Sequence, residues 1–212
     1  MKVFIPFRKK PFFQPARDMC LTTAVKNVID NQFNINLSLS ATNKSCKYEG
    51  KYQWGVAIDT FLEQNINKIL ERIAIKYNFK ENQKIEDLFQ LLETEKAYPI
   101  IFFPLSKYNE WKEDTSLREV SGDNEPNLHA LIIVGIDKEN ETIQMFDTIH
   151  NKFREYSDLN NIYDEISFVK FLQYWLHSSL IFPAIWFLKK VKDKKIGKGK
   201  DRTLESWQSK KK

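Results

Sequence analysis

Cysteine is scarce in this chain: two occur, Cys20 and Cys46, with no CxxC pair, and there are only three histidines. These counts exclude a disulfide scaffold, and no Cys/His cluster has the spacing of a structural zinc site. No metal or cofactor is expected. A single Cys20–Cys46 disulfide stays open as an alternative, but it would consume both thiols. Long hydrophobic runs are also missing. Ile100–Phe103, Leu131–Val134 and Ile181–Leu188, the last broken by Pro183, fall far short of the ~20 apolar residues of a spanning helix. The opening MKVFIPFRKKPFF has prolines and basic residues where a signal peptide needs an unbroken apolar stretch. A soluble, cytoplasmic protein is expected, in a compartment where a free thiol persists.

Acidic residues do not balance the basic ones, yet the excess is local. Residues 189–212 hold eleven Lys/Arg against three Asp/Glu, whereas 1–188 hold 22 against 25. The net charge of +5 therefore belongs to the C-terminal tail. A solvated, flexible tail is the plainer reading. The alternative is salt-sensitive contact with nucleic acid or an anionic surface. The 16 Phe, 8 Tyr and 5 Trp supply bulky core material, and 212 residues suit one domain with appendages. The expected division is a domain over 1–188 and a basic tail over 189–212.

Periodicity separates two halves. Val3–Pro6 reads as extended. Leu21, Ala24, Val25, Val28 and Ile29 recur at helical spacing, so a helix is expected from Asp18, as N-cap, to about Asn31. A long helix is predicted over Val56–Tyr77 and a shorter one over Ile85–Thr94. Tyr98–Leu105 and Leu128–Ile136 read as strands. Thr142–Phe146 follows as the second arm of a hairpin turning through Lys138–Asn140. Ser167 caps a predicted helix burying Phe168, Phe171, Leu172, Trp175 and Leu176, and Phe182–Leu188 forms a last strand. Helices first and antiparallel strands later make an α+β fold, with N-terminal helices packed on a C-terminal sheet.

Chemistry gathers at four positions of that pattern. Cys20 falls in the first turn of a helix, where the dipole and free amides favour a thiolate. His129 begins a strand, and the hairpin register brings residues 147–149 opposite it, so Asp147 is placed to orient the imidazole. Gln14, six residues before Cys20, can offer an amide to a developing oxyanion together with the Cys20 N–H. Each residue alone has a plain structural reading: a core thiol, a strand histidine, a strand-ending acid. Their combination points to nucleophilic catalysis.

The order Gln14, Cys20, His129, Asp147 resembles the papain-like cysteine peptidases, above all the peptidase-C39-like subset, which is similar to the bacteriocin-leader processing domain. Phe4–Phe7 resembles its opening strand, Tyr98–Ile101 its central strand, Leu128–Ile136 its histidine strand and Phe168–Trp175 its late helix. The resemblance covers most of 1–188. It implies a papain-like fold and cleavage of a peptide or isopeptide bond in a peptide or protein substrate, through a thioester. Leu21 stands where the family commonly has Gly, and Asp147-Thr148 replaces the more usual Asp-Pro. The alternatives are acyl transfer on the same scaffold, or an inactive binding module with a basic tail. Cys46 reads as incidental, His150 as a rim residue and His177 as a helix C-terminal cap. Trp54 is placed at the cleft. Segments 34–56 and 105–127 are read as cleft-wall loops, with Ser106–Asn127 as a lid.

Overall fold

The structure is a computed structural model that describes residues 1–13, 19–38, 67–112, 128–149, 162–176 and 182–190. Seven strands form one antiparallel sheet: β1 (Lys2–Phe4), β2 (Ile75–Lys80), β3 (Ile100–Pro104), β4 (Leu128–Asp137), β5 (Thr142–Asp147), β6 (Tyr163–Ser167) and β7 (Ala184–Lys189). Their order is β2-β7-β3-β4-β5-β6. β3 pairs with β4 over 128–132 and β1 pairs with it over 135–137, while β5 pairs along most of its length. Five helices are described: α1 (Cys20–Phe33), α2 (Asn67–Arg72), α3 (Ile85–Glu93), α4 (Leu105–Lys112) and α5 (Phe168–Trp175). None of the described helices is long and apolar enough to cross a membrane.

Alternation along the central strands makes the sheet two-sided. Ile100, Phe102, Ala130, Ile132 and Val134 pack with Ala24, Val25, Val28 and Ile29 of α1. Ile101, Phe103, Leu131 and Ile133 pack on the other face with residues of α3, α4 and α5. The register of β4 against β5 shifts between Ile133 and Gly135, and this bulge returns Ile136 to the same face as Ile133. Gly135 sits where β1 crosses. A Cβ there would lie 2.7 Å from Gln144 Oε1, 2.9 Å from Phe4 Cδ2 and 3.1 Å from the Val3 carbonyl oxygen, so a side chain has no room.

α1 is buried on every side from Thr22 to Asn31, although its sequence is amphipathic. Most of its polar stripe is covered because the groups find partners, whereas the buried Thr23 hydroxyl makes no hydrogen bond among the described residues. Asn27 exchanges two hydrogen bonds with the Phe12 backbone at 2.7 Å, and Asn31 Oδ1 accepts the Lys9 N–H at 2.8 Å. Lys26 donates to Asp30 and to the Leu37 carbonyl, while Asp30 accepts the Leu37 N–H. These bonds fix the segment before α1 and the chain just after it.

The predicted helix over Val56–Tyr77 needs correction. Its described part ends at Arg72, and Ile75–Lys80 is a strand paired with β7. Ala74 takes a left-handed φ of 54°, which stops the helix, and Ile75, Tyr77 and Phe79 then alternate with Lys76, Asn78 and Lys80. The segment read as loop and lid over 105–127 opens instead as α4, whose Leu105 and Tyr108 are buried at i, i+3. β6 was not foreseen. On α5 the buried residues are Phe171, Tyr174 and Trp175, whereas Leu172 and Leu176 are exposed. Ser167 does cap α5, accepting the Lys170 N–H at 3.5 Å. Asp18 lies outside the described residues, as do 39–66 and the tail from 191.

Candidate active site

Cys20 is the first residue of α1, so the amides around it have no intrahelical acceptor and point past the helix end. Its side chain is half-buried and carries a free thiol. His129 is the second residue of β4, opposite Phe103 of β3. Asp147 ends β5, opposite Leu131 of β4. His129 and Leu131 share a face by the two-residue period, which makes Asp147 the diagonal neighbour of His129. The imidazole Nε2 and Asp147 Oδ1 are 2.8 Å apart. Both side chains are almost wholly buried, His129 at 3% and Asp147 at 6% exposure. The same imidazole acts on the Cys20 thiol through charge and hydrogen bonding, and with Nε2 committed to Asp147 the nitrogen left for sulfur is Nδ1.

Three elements on two sides of the sheet thus meet at one end of β4. The sulfur lies 3.9 Å from the Leu128 carbonyl oxygen, to which a thiol hydrogen can be donated, and the amides of Ala130 and Leu21 favour its ionised form. Asp147 is more heavily bonded. Its Oδ1 also accepts the Ile149 N–H at 2.9 Å, and its Oδ2 accepts the Tyr108 hydroxyl at 2.5 Å. Lys112 Nζ lies 3.7 Å from Oδ2 and is paired with Asp164.

Electrostatics follow from these contacts. Burial opposes ionisation of Cys20, but the hydrogen bond and charge of His129 and the two amides outweigh it and bring the thiol pKa below 9.0. Burial likewise opposes the imidazolium; the Asp147 carboxylate and the sulfur overcome this and raise His129 to about 9. Burial would raise Asp147, yet the charge and hydrogen bond of His129, the Lys112 charge and the Tyr108 hydroxyl hold it at about 2. All three shifts favour a thiolate–imidazolium pair beside a fixed carboxylate.

No protein-family model matches the sequence, and no curated protein matches it. Solved structures do match. A protein described as a C39-like peptidase from Bacillus anthracis superposes with a TM-score of 0.60 at 16% identity, over 91% of this chain and 100% of that one. Xylellain, a cysteine protease from Xylella fastidiosa, gives a TM-score of 0.60 at 15% identity, over 90% of this chain and 86% of that one. The fold is papain-like. At such identities the likeness speaks for the architecture alone, an α+β body of helices around an antiparallel sheet.

On this papain-like scaffold the structure brings together Cys20, His129 and Asp147, and Gln14 lies outside the described residues. Cys46, Trp54, His150 and His177 also lie outside them. Among the described residues no group of three His, Cys, Asp or Glu side chains is gathered in a way that holds a metal ion. Sequence reasoning missed Tyr108 and Lys112, the two α4 residues at Asp147. The signal was present: Leu105, Tyr108 and Lys112 stand at i, i+3 and i+7, a helical spacing inside a stretch read as loop.

Proposed function

We propose that the chain is a cysteine hydrolase that cleaves a peptide or isopeptide bond in a peptide or protein substrate. Cys20 is the nucleophile, His129 the general base and acid, and Asp147 the residue that fixes the ring. The observation that carries this reading is the buried imidazole bonded to Asp147 through Nε2, beside a Cys20 thiol whose pKa it lowers. The peptidase names borne by the two structural neighbours add support.

In the reaction the Cys20 proton resides on Nδ1 and the sulfur adds to the carbonyl carbon. Negative charge develops on the carbonyl oxygen, for which the Cys20 N–H and the Gln14 amide are the proposed donors. Collapse of the tetrahedral adduct breaks the C–N bond, and the imidazolium gives its proton to the departing amine. A water molecule, deprotonated by the neutral imidazole, then adds to the thioester; the acid leaves and the thiol is restored. Asp147 stays ionised throughout and keeps the Nε2–H bound, which holds the tautomer with Nδ1 facing sulfur.

Iodoacetamide alkylation against pH, with the adduct located by mass spectrometry, tests the reading. The wild-type rate should inflect well below the pH of an ordinary thiol at Cys20, and His129→Ala should move that inflection upward. Hydrolysis of a mixed peptide library should disappear in Cys20→Ala. A wild-type inflection at the free-thiol value, or library cleavage that survives the loss of Cys20, would overturn the proposal.

A further inference from the structure

The unexplained feature at this site is how much of α4 is committed to one carboxylate. Tyr108 and Lys112 stand at i, i+4, on one face of that helix. The Tyr108 hydroxyl donates to Asp147 Oδ2, while its ring lies against the imidazole at a centroid distance of 4.3 Å and an angle of 54°. One side chain therefore touches both partners of the His129–Asp147 pair. Lys112 Nζ sits 3.7 Å from the same Oδ2 and bonds to Asp164 of β6, so its cation is shared between two carboxylates. Its ammonium also lies 4.2 Å from the Trp111 ring centroid.

The helix bearing these groups is held from behind. Phe103 of β3 makes edge contacts with Trp111 and Tyr174, at 6.0 and 5.9 Å, and the Tyr174 hydroxyl donates to Glu110 at 3.3 Å. α4 is thus fixed to the sheet and to α5, and its two side chains meet Asp147 on the oxygen that His129 does not use. A donor and a cation on that oxygen draw negative charge away from Oδ1, which weakens the attraction of the carboxylate for the imidazolium.

We propose that Tyr108 and Lys112 are positioning residues that hold Asp147 in its orientation and moderate its pull on His129, so that the imidazolium stays able to release its proton. This inference rests on the assignment of His129 and Asp147 above. Among the described residues the charged or titratable groups around the pair are Cys20 from α1, Tyr108 and Lys112 from α4 and Asp164 from β6. Removing the hydroxyl or the cation acts in one direction. Asp147 becomes a stronger acceptor, and the imidazolium holds its proton to higher pH.

The test is an NMR titration of the His129 ring in Cys20→Ala protein, which removes the sulfur and makes the result independent of thiol chemistry. Tyr108→Phe keeps the ring packing and loses the hydroxyl, Lys112→Met loses the cation, and Lys112→Arg restores it. Near-ultraviolet circular dichroism of each variant checks the fold. Both Tyr108→Phe and Lys112→Met should titrate at higher pH than the parent, by an amount readable in tenths of a unit, with Lys112→Arg returning to the parent value. A purely structural role would lower the melting temperature and leave the midpoint in place. An unchanged or lowered midpoint in folded Tyr108→Phe overturns the inference. Alkylation of otherwise wild-type protein, run alongside, separates that failure from a failure of the Cys20 assignment itself.

Discussion

Asp147 shows how one buried carboxylate links stability to the site. Its pKa of about 2 in the folded protein lies below the ordinary value of 3.8, so the folded state holds fewer protons than the unfolded chain between those limits. The resulting stabilisation, about 2 kcal/mol, is complete above the ordinary value and disappears as pH falls through about 2. Urea unfolding at a series of acid pH values should show that decline in wild type and a flatter curve in Asp147→Asn. Parallel curves would mean that other carboxylates dominate the acid limb. On the alkaline side, turnover should decline as pH rises through about 9, where the imidazolium is lost. Asp147 was legible from the hairpin, because a turn at 138–140 leaves few registers for the second arm. Tyr108 was not, because no local feature ties an α4 hydroxyl to a carboxylate 39 positions later.

Local pattern and tertiary demand disagree most openly at α2 and β2. Ile69, Leu70 and Ile73 extend a helical period, and nothing in those residues announces a stop. The stop is Ala74, an alanine at φ 54°, whose carbonyl accepts the Lys190 N–H at 2.8 Å just beyond β7. Six residue pairs between β2 and β7 offset the strain of that one residue. Ala74→Gly, which relieves it, should stabilise the protein by about 0.5–1 kcal/mol, read from the shift in urea midpoint. A destabilised variant would show that the turn carries no strain. α3 is the opposite case. Its apolar residues Leu88, Phe89, Leu91 and Leu92 are the buried ones, and Asp87 accepts the Lys84 N–H at 2.8 Å at its start. Here periodicity and cap agree, and the sequence alone delimits the helix to within a residue.

Across the whole molecule the sheet separates the thiol from its partners until the end of β4. α1 packs on one face and α4 on the other, yet Cys20 and Tyr108 both touch His129. The last strand runs to Lys189, and Lys190 closes it against Ala74, so the sheet uses the first residues of the basic stretch. The stretch beyond Lys190 reads from its composition as a solvated tail, so deleting residues 191–212 should leave the thermal midpoint unchanged; a drop of several degrees would overturn that reading. Sequence by itself determined the elements with strong local signals: Cys20 in the first turn of α1, the β4–β5 hairpin, α3, the cap of α5 and the α+β class. Those follow from spacing and turn chemistry, which act between neighbours in the chain. Tertiary structure alone decided the burial of α1's polar stripe, the conversion of Ile75–Lys80 to a strand, and the approach of α4 to Asp147. Each depends on contacts between segments far apart in sequence, where packing and hydrogen-bond satisfaction outweigh local preference.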